Sequence, residues 1–181
     1  MIELLIVIAV IGVLAVAVLS AINPIEQINK GRDTQGRSDA AELINAVDRY
    51  YASIGWYPWQ TQPEEDNSQA WEEVSAVTDG TMTMLEKLVD TNEIKESYKN
   101  RVEAMAGTAR ELYAFLADLS GATMYSCFKP QSKAFQTEGQ TACNGTPADD
   151  SPLTLEAGTT CPNDDTCRTG NQPTDCYICL P

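Results

Sequence analysis

The sequence predicts an α+β chain built on one long N-terminal helix, with a small antiparallel sheet and disulfide-braced loops towards the C-terminus. Three observations carry this reading. Of the first 22 residues 19 are apolar, the exceptions being Glu3, Gly12 and Ser20. Beyond them, Ala40, Leu43, Ile44, Val47, Tyr50, Tyr51 and Ile54 recur at spacings of three and four, which makes one apolar helix face. All six cysteines lie beyond residue 126, among Gly, Pro, Asp and Thr and beside the short strand-like runs ATMYSCF and CYICLP. A length of 181 residues sits near the expectation for one body. Residues 1–24 read as an apolar helix and 25–181 as a head.

Leu4 to Ile22 contains no charge and as a helix reaches about 28 Å, enough to cross a bilayer. No Lys or Arg precedes it, whereas Lys30, Arg32 and Arg37 follow it, and by charge alone the head belongs in the cytosol. The cysteine pattern argues for an oxidising compartment instead. The two agree if a basic leader once preceded residue 1, so a processed amino end is expected. Glu3 stands at the edge of this helix, where a carboxylate needs headgroups, water or a cationic partner such as a free amino terminus. Ala9, Gly12, Ala15, Ala17 and Ala21 permit close approach of neighbouring helices. Gly12 and Pro24 weaken the helix, Gly by about 1 kcal/mol relative to Ala and Pro by removing a backbone donor.

The helix resumes over 25–54, packs its apolar face on a small sheet and leaves Asp33, Arg37, Asp39, Glu42, Asp48 and Arg49 solvated. Gly55 and Pro58 end it. The aromatics Tyr57 and Trp59 that follow suit either packing at this corner or a ligand platform. Residues 55–80 read as a variable acidic connection and 81–120 as a helical region, with Met84, Leu85, Leu88 and Val89 on one side of a helix from Thr81 to Met105. Glu111 to Leu119 suits a short helix or a strand. Residues 121–181 form the β-rich, cysteine-bearing part, with Lys133 to Gln136 among its strand-like pieces.

Charge and composition exclude several functions. Twelve basic against 26 acidic residues give a net charge of −14, and Tyr50 to Glu86 holds seven acids and no Lys or Arg, so direct nucleic-acid binding is not expected. There is no histidine, which removes Ser-His-Asp and Cys-His sites; a membrane-tethered enzyme is therefore disfavoured. Cys127, Cys143, Cys161, Cys167, Cys176 and Cys179 allow many pairings, with Cys161–Cys167 the first choice. Cys176 and Cys179 share a C-x-x-C spacing, yet on a strand each reaches a different partner. The set 161, 167, 176 and 179 has the composition of a zinc site. Asp149, Asp150, Asp164 and Asp165 supply oxygens that suit calcium, although no EF-hand spacing exists and solvated acids are the simpler reading. Asn144 opens a weak N-glycosylation sequon. No cofactor is expected apart from calcium.

The run MIELLIVIAVIGVLAVAVLSAI resembles the start of mature type IV pilins and type II secretion pseudopilins. The similarity covers about residues 1–59, since Tyr50-Tyr51 and Gly55-Trp56-Tyr57-Pro58 also look like the end of the long helix in that family. Members are cut by a prepilin peptidase, methylated at the new amino end, and assembled with the glutamate paired to a neighbour's amine; Glu3 is the matching position. Fewer residues precede Glu3 than the family usually places there, so the identity of the methylated residue stays open. The resemblance implies a ladle shape with a three- or four-stranded sheet on the long helix. It implies a structural subunit held in the cytoplasmic membrane with its head outside, then transferred to an extracellular filament by inner-membrane pilus assembly machinery. Adhesion, motility or DNA uptake, with host or surface contacts, would be its work. The alternative is a pseudopilin or a minor or competence pilin, some secretion-type members of which bind calcium. The family commonly has a proline where Ser20 stands here, which shifts the expected helix disruption to residues 20–24.

Overall fold

The computed structural model describes residues 2–21, 23–63, 65–116, 124–144 and 177–181. Two helices open the chain, α1 (Ile2–Ala21) and α2 (Pro24–Ile54). Strand β1 (Gln69–Glu73), helices α3 (Met84–Asp90) and α4 (Glu96–Glu103), and strands β2 (Leu112–Leu116) and β3 (Tyr125–Phe128) follow. Helix α5 (Lys133–Asn144) and strand β4 (Ile178–Leu180) complete it. The fold is α+β, with a long helical N-terminus and one four-stranded antiparallel sheet in the order β1-β2-β3-β4.

The sheet takes its two faces from strand alternation. Leu112, Phe128 and Ile178 stand opposite one another across β2, β3 and β4, and all three are buried in the core that includes α2. From α2, Ala40, Leu43 and Val47 enter the same core. Gly36 permits the close approach: a Cβ there would sit 3.2 Å from the Phe128 ring. On the alternate positions Tyr113, Cys127 and Cys179 share a row, and Cys127 and Cys179, directly opposite in register, form a disulfide. Trp71, Tyr113 and Tyr177 gather with ring centroids 5.1–5.4 Å apart. The short β4 is thus held by its ladder, a covalent link to β3 and an aromatic cluster. A bridge of this kind contributes about 2–4 kcal/mol by restricting the unfolded chain.

Several expectations are corrected. The connection 55–80 contains β1, whose polar run QAWEE pairs with β2 through an irregular register between Gln69 and Glu72. The helix expected over Thr81–Met105 is two helices. Thr83 and Glu86 form a capping box that starts α3, and Asn92 at φ 61° stops it, since Asn tolerates the left-handed region. Met84, Leu85 and Leu88 are buried as their spacing requires. Glu111 to Leu119 yields β2, whereas Lys133 to Gln136 opens α5 instead of a strand: Ser132 Oγ accepts from Phe135 N at 3.5 Å ahead of its first turn.

The amphipathic α2 also departs from its simple pattern. Gly55, at φ 95°, ends it by donating to the Tyr51 carbonyl at 2.8 Å. Tyr51 and Ile54 are exposed, while Asp33 and Asp39, expected in solvent, are each only 2% exposed. Arg37 is half-buried. Asp39 is neutralised by Arg101, whose guanidinium donates through two nitrogens at 2.7 and 3.3 Å, and the Asp39 backbone carbonyl accepts from Tyr98 Oη at 2.6 Å. Burial, reinforced by the nearby Asp39 charge, pushes the Tyr98 phenol far above its ordinary pKa.

An acid-sensitive link lies in the loop before α3. Asp79 accepts from Lys87 Nζ at 2.6 Å and from the backbone N–H groups of Thr81 and Met82 at 2.7 and 2.8 Å. Led by the lysine hydrogen bond, these hold its carboxyl at about 2 against an ordinary 3.8. A lowered folded-state pKa gives stability that is complete above the unfolded value and is lost as pH falls through the folded one. Between pH 4 and pH 2 the urea midpoint should therefore fall more steeply in the wild type than in Asp79→Asn, and parallel midpoints would refute this role.

Candidate functional site: the apolar helix and its hinge

Every described side chain of α1 from Ile2 to Val18 is exposed, and twelve of them are large aliphatics, from Ile2 at 77% to Val18 at 61%. Burying such a side chain is worth about 1.5–3 kcal/mol, so roughly 20–35 kcal/mol of apolar burial is unrealised in the single chain. That exceeds the net stability of about 5–15 kcal/mol of an ordinary domain. A helix apolar on all sides requires an apolar surrounding on all sides. Gly12 has nothing within 4 Å of where a Cβ would lie, so among the described residues no close approach uses it. Among the described residues no helix is long and apolar enough to cross a membrane. In α1 the described side chains end at Val18, while the uncharged run of the sequence continues to Ile22.

Glu3 is the single charge of α1, in its first turn, where the N-terminal end of the helix dipole favours a carboxylate. It is exposed and has no ion-pair partner among the described residues.

The boundary between α1 and α2 is a weak point with a sequence cause. Asn23 leaves the helical region, at φ −86° and ψ 97°, and caps α2 by accepting from Glu26 N at 3.4 Å. Pro24 occupies the start of α2, where its missing N–H does no harm. Gln27 N to Asn23 O is also 3.4 Å, so the first turn of α2 is joined by long hydrogen bonds.

Past the hinge the helix is gripped by the segment that leads into α5. Glu26 accepts from Lys133 N at 2.8 Å, and Asn29 donates to the Gln131 carbonyl at 3.5 Å. The buried Asp33 carboxylate accepts from Gln131 N at 2.8 Å and Ser132 N at 2.7 Å, one oxygen each. Arg37 pairs with Glu138 and stands 4.9 Å over the Phe135 ring. A buried carboxylate is tolerable only when hydrogen-bonded, and here both oxygens are engaged. From Glu26 onwards α2 is thus tied to residues 131–138. No local pattern signals this grip, because its partners lie about 100 residues from Asp33 along the chain.

The other candidates divide clearly. Trp59 is 8% exposed, stacks on Tyr57 at 4.6 Å and donates from Nε1 to the Asn67 carbonyl at 3.1 Å; Tyr57 stacks in turn on Tyr51 at 4.6 Å. The aromatics pack the corner rather than form an open platform. Cys179 is committed to Cys127, which takes it out of the four-cysteine zinc set. Cys161, Cys167 and Cys176 lie outside the described residues, as do Asp149, Asp150, Asp164 and Asp165. The side chains of Cys143 and Asn144, at the end of α5, are likewise outside them. Among the described residues no group of acids or cysteines is arranged to hold a metal. Comparison with protein-family models, with curated proteins and with solved structures finds no match to this chain.

Asp33→Ala strands the buried N–H of Ser132 and the half-buried N–H of Gln131, each worth about 1–3 kcal/mol when unpaired, and should lower stability by about 2–5 kcal/mol. Glu26→Ala, at a half-buried position with one backbone partner, should cost about 1 kcal/mol or less. Urea unfolding of the two variants checks the ranking, and equal losses would contradict it.

Proposed function

We propose that the chain is a structural subunit of a type IV pilus, polymerising through its N-terminal helix into an extracellular helical filament. The observation that supports this best is α1, apolar and exposed around its whole circumference. Its sequence run through Ile22 suits a bilayer before assembly and a bundle of identical helices afterwards, so that it passes from lipid to protein without meeting water. The partners of the reading are other copies of the chain, the prepilin peptidase and the inner-membrane assembly machinery.

Glu3 has a specific part in it. Within a helix bundle an unpaired carboxylate costs several kcal/mol, which the processed amine of a neighbour would offset. The charge makes correct axial placement more favourable than any placement that leaves both groups alone. The break at Asn23-Pro24 lets α1 reorient in a filament while the grip on Glu26, Asp33 and Arg37 keeps the head intact.

Glu3→Ala should remain in the membrane fraction and abolish filaments, and Glu3→Gln, similar in size but uncharged, should do the same. Negative-stain imaging, with mass analysis of the first residue of the wild-type filament, reads both parts. Normal filaments from the two variants would overturn the proposal.

A further inference from the structure

Past α1, the exposed large aliphatics among the described residues are Ile25 at 68%, Ile28 at 54% and Ile54 at 37%. The first two stand on the opening turns of α2, and with Arg32 they follow a spacing of three and four that puts them on one helix face. The opposite face of these turns is occupied, since Glu26, Asn29, Asp33 and Arg37 meet residues 131–138. Lys30 and Arg32 are exposed and, among the described residues, in no ion pair, whereas Arg37, Arg49, Lys87, Lys99 and Arg101 each have one. Lys133 is likewise exposed and without an ion pair there, and its backbone N–H bond to Glu26 sets it beside the turn that ends at Lys30. The acids of this stretch are turned inwards. Glu26 is half-buried and bonded to Lys133 N, Asp33 is buried with both oxygens engaged, and Asp39 is buried against Arg101. A chain that carries −14 thus presents an apolar and cationic surface where its head adjoins α1.

We infer that this surface lies on anionic phospholipid headgroups of the bilayer leaflet from which α1 emerges, so that the head is docked on the membrane before assembly. The inference rests on the membrane-held stage of the reading above and adds a second lipid contact to it. Position selects lipid as the partner. Ile25 and Ile28 follow the uncharged run that ends at Ile22 by three and six residues, at most about 9 Å along a helix. The polar layer on each side of a bilayer is about 5–7 Å deep, so both aliphatic side chains fall within reach of it. Lys30, Arg32 and Lys133 stand beside them, and long cationic side chains with an apolar stem suit that boundary. Charge selects the kind of lipid. An acidic chain is repelled by an anionic bilayer except where its cations are concentrated, and each Lys or Arg near such a surface strengthens binding roughly fivefold. Asn23, outside the helical region, is the joint about which the head settles onto the surface. The basic residues after α1, which by charge alone would keep the head in the cytosol, thereby have a use on the other side.

The test reconstitutes the full chain into vesicles of phosphatidylcholine with and without phosphatidylglycerol, modifies exposed amines with a membrane-impermeant reagent, and reads each lysine by mass analysis. Lys95, exposed at the start of α4 and in no ion pair among the described residues, is the internal control. Lys30 and Lys133 should react roughly fivefold more slowly in the anionic vesicles than in the neutral ones, with Lys95 unchanged. High salt should remove most of the difference. Arg32→Glu, and separately Ile25→Ser/Ile28→Ser, should return Lys30 and Lys133 towards their rates in neutral vesicles. Arg32→Gln, checked by urea midpoint, covers the case in which charge reversal disturbs folding. Equal rates at Lys30 and Lys133 in the two kinds of vesicle, with the chain inserted, would overturn the inference and leave the pilus reading standing. Protection that appears in neutral detergent as the chain is concentrated, and not with anionic lipid, would overturn it in favour of a second copy. Protection by anionic lipid in a chain that forms no filaments in cells would support the docking and count against the pilus reading alone.

Discussion

The constraint on which this molecule turns is that, among the described residues, nothing of its own chain buries the apolar surface of α1. The face of α2 that could receive it is already committed to the sheet through Ala40, Leu43 and Val47. Twelve aliphatic side chains therefore stand free between Ile2 and Val18. In the proposed function, lipid or the same helix from other copies supplies the missing apolar surroundings. The transition at Asn23-Pro24 separates two kinds of helix: before it, apart from Glu3, the side chains are uncharged and those described are exposed, and after it one face is buried and the other wet.

That boundary explains why the head is tied so firmly to α2. If α1 is to change surroundings, the load falls on the first turns beyond the hinge. Those turns are gripped by backbone N–H groups of residues 131–133 donating to Glu26 and Asp33, and by Arg37 paired with Glu138. Farther along, Asp39 and Arg101 tie α2 to α4, and the Arg49–Glu93 pair adds an exposed contact at 2.8 Å. Polar anchors of this kind add direction to a core that would otherwise be held by apolar contact alone. At the far side of the sheet the Cys127–Cys179 bridge does comparable work for β4, a strand of three residues.

Local signals in the sequence determined the elements that depend on near neighbours. The uninterrupted apolar run specifies α1, Asn23 and Pro24 its end, the spacing of Ala40 to Tyr50 the inner face of α2, and Gly55 its termination. The helix start at Thr83 was not read from the sequence, although its capping partners Thr83 and Glu86 are only three residues apart. What only the tertiary structure decided are the features whose partners are remote. The polar β1 is a strand because β2 offers it a ladder, and Asp33 and Asp39 are buried because backbone N–H groups and Arg101 from distant segments meet them. Of the possible cysteine pairings, Cys127–Cys179 forms because the two face each other across β3 and β4. Periodicity records which side of an element avoids water, but a hydrogen bond or disulfide across the fold depends on which segments come together, and no local pattern encodes that.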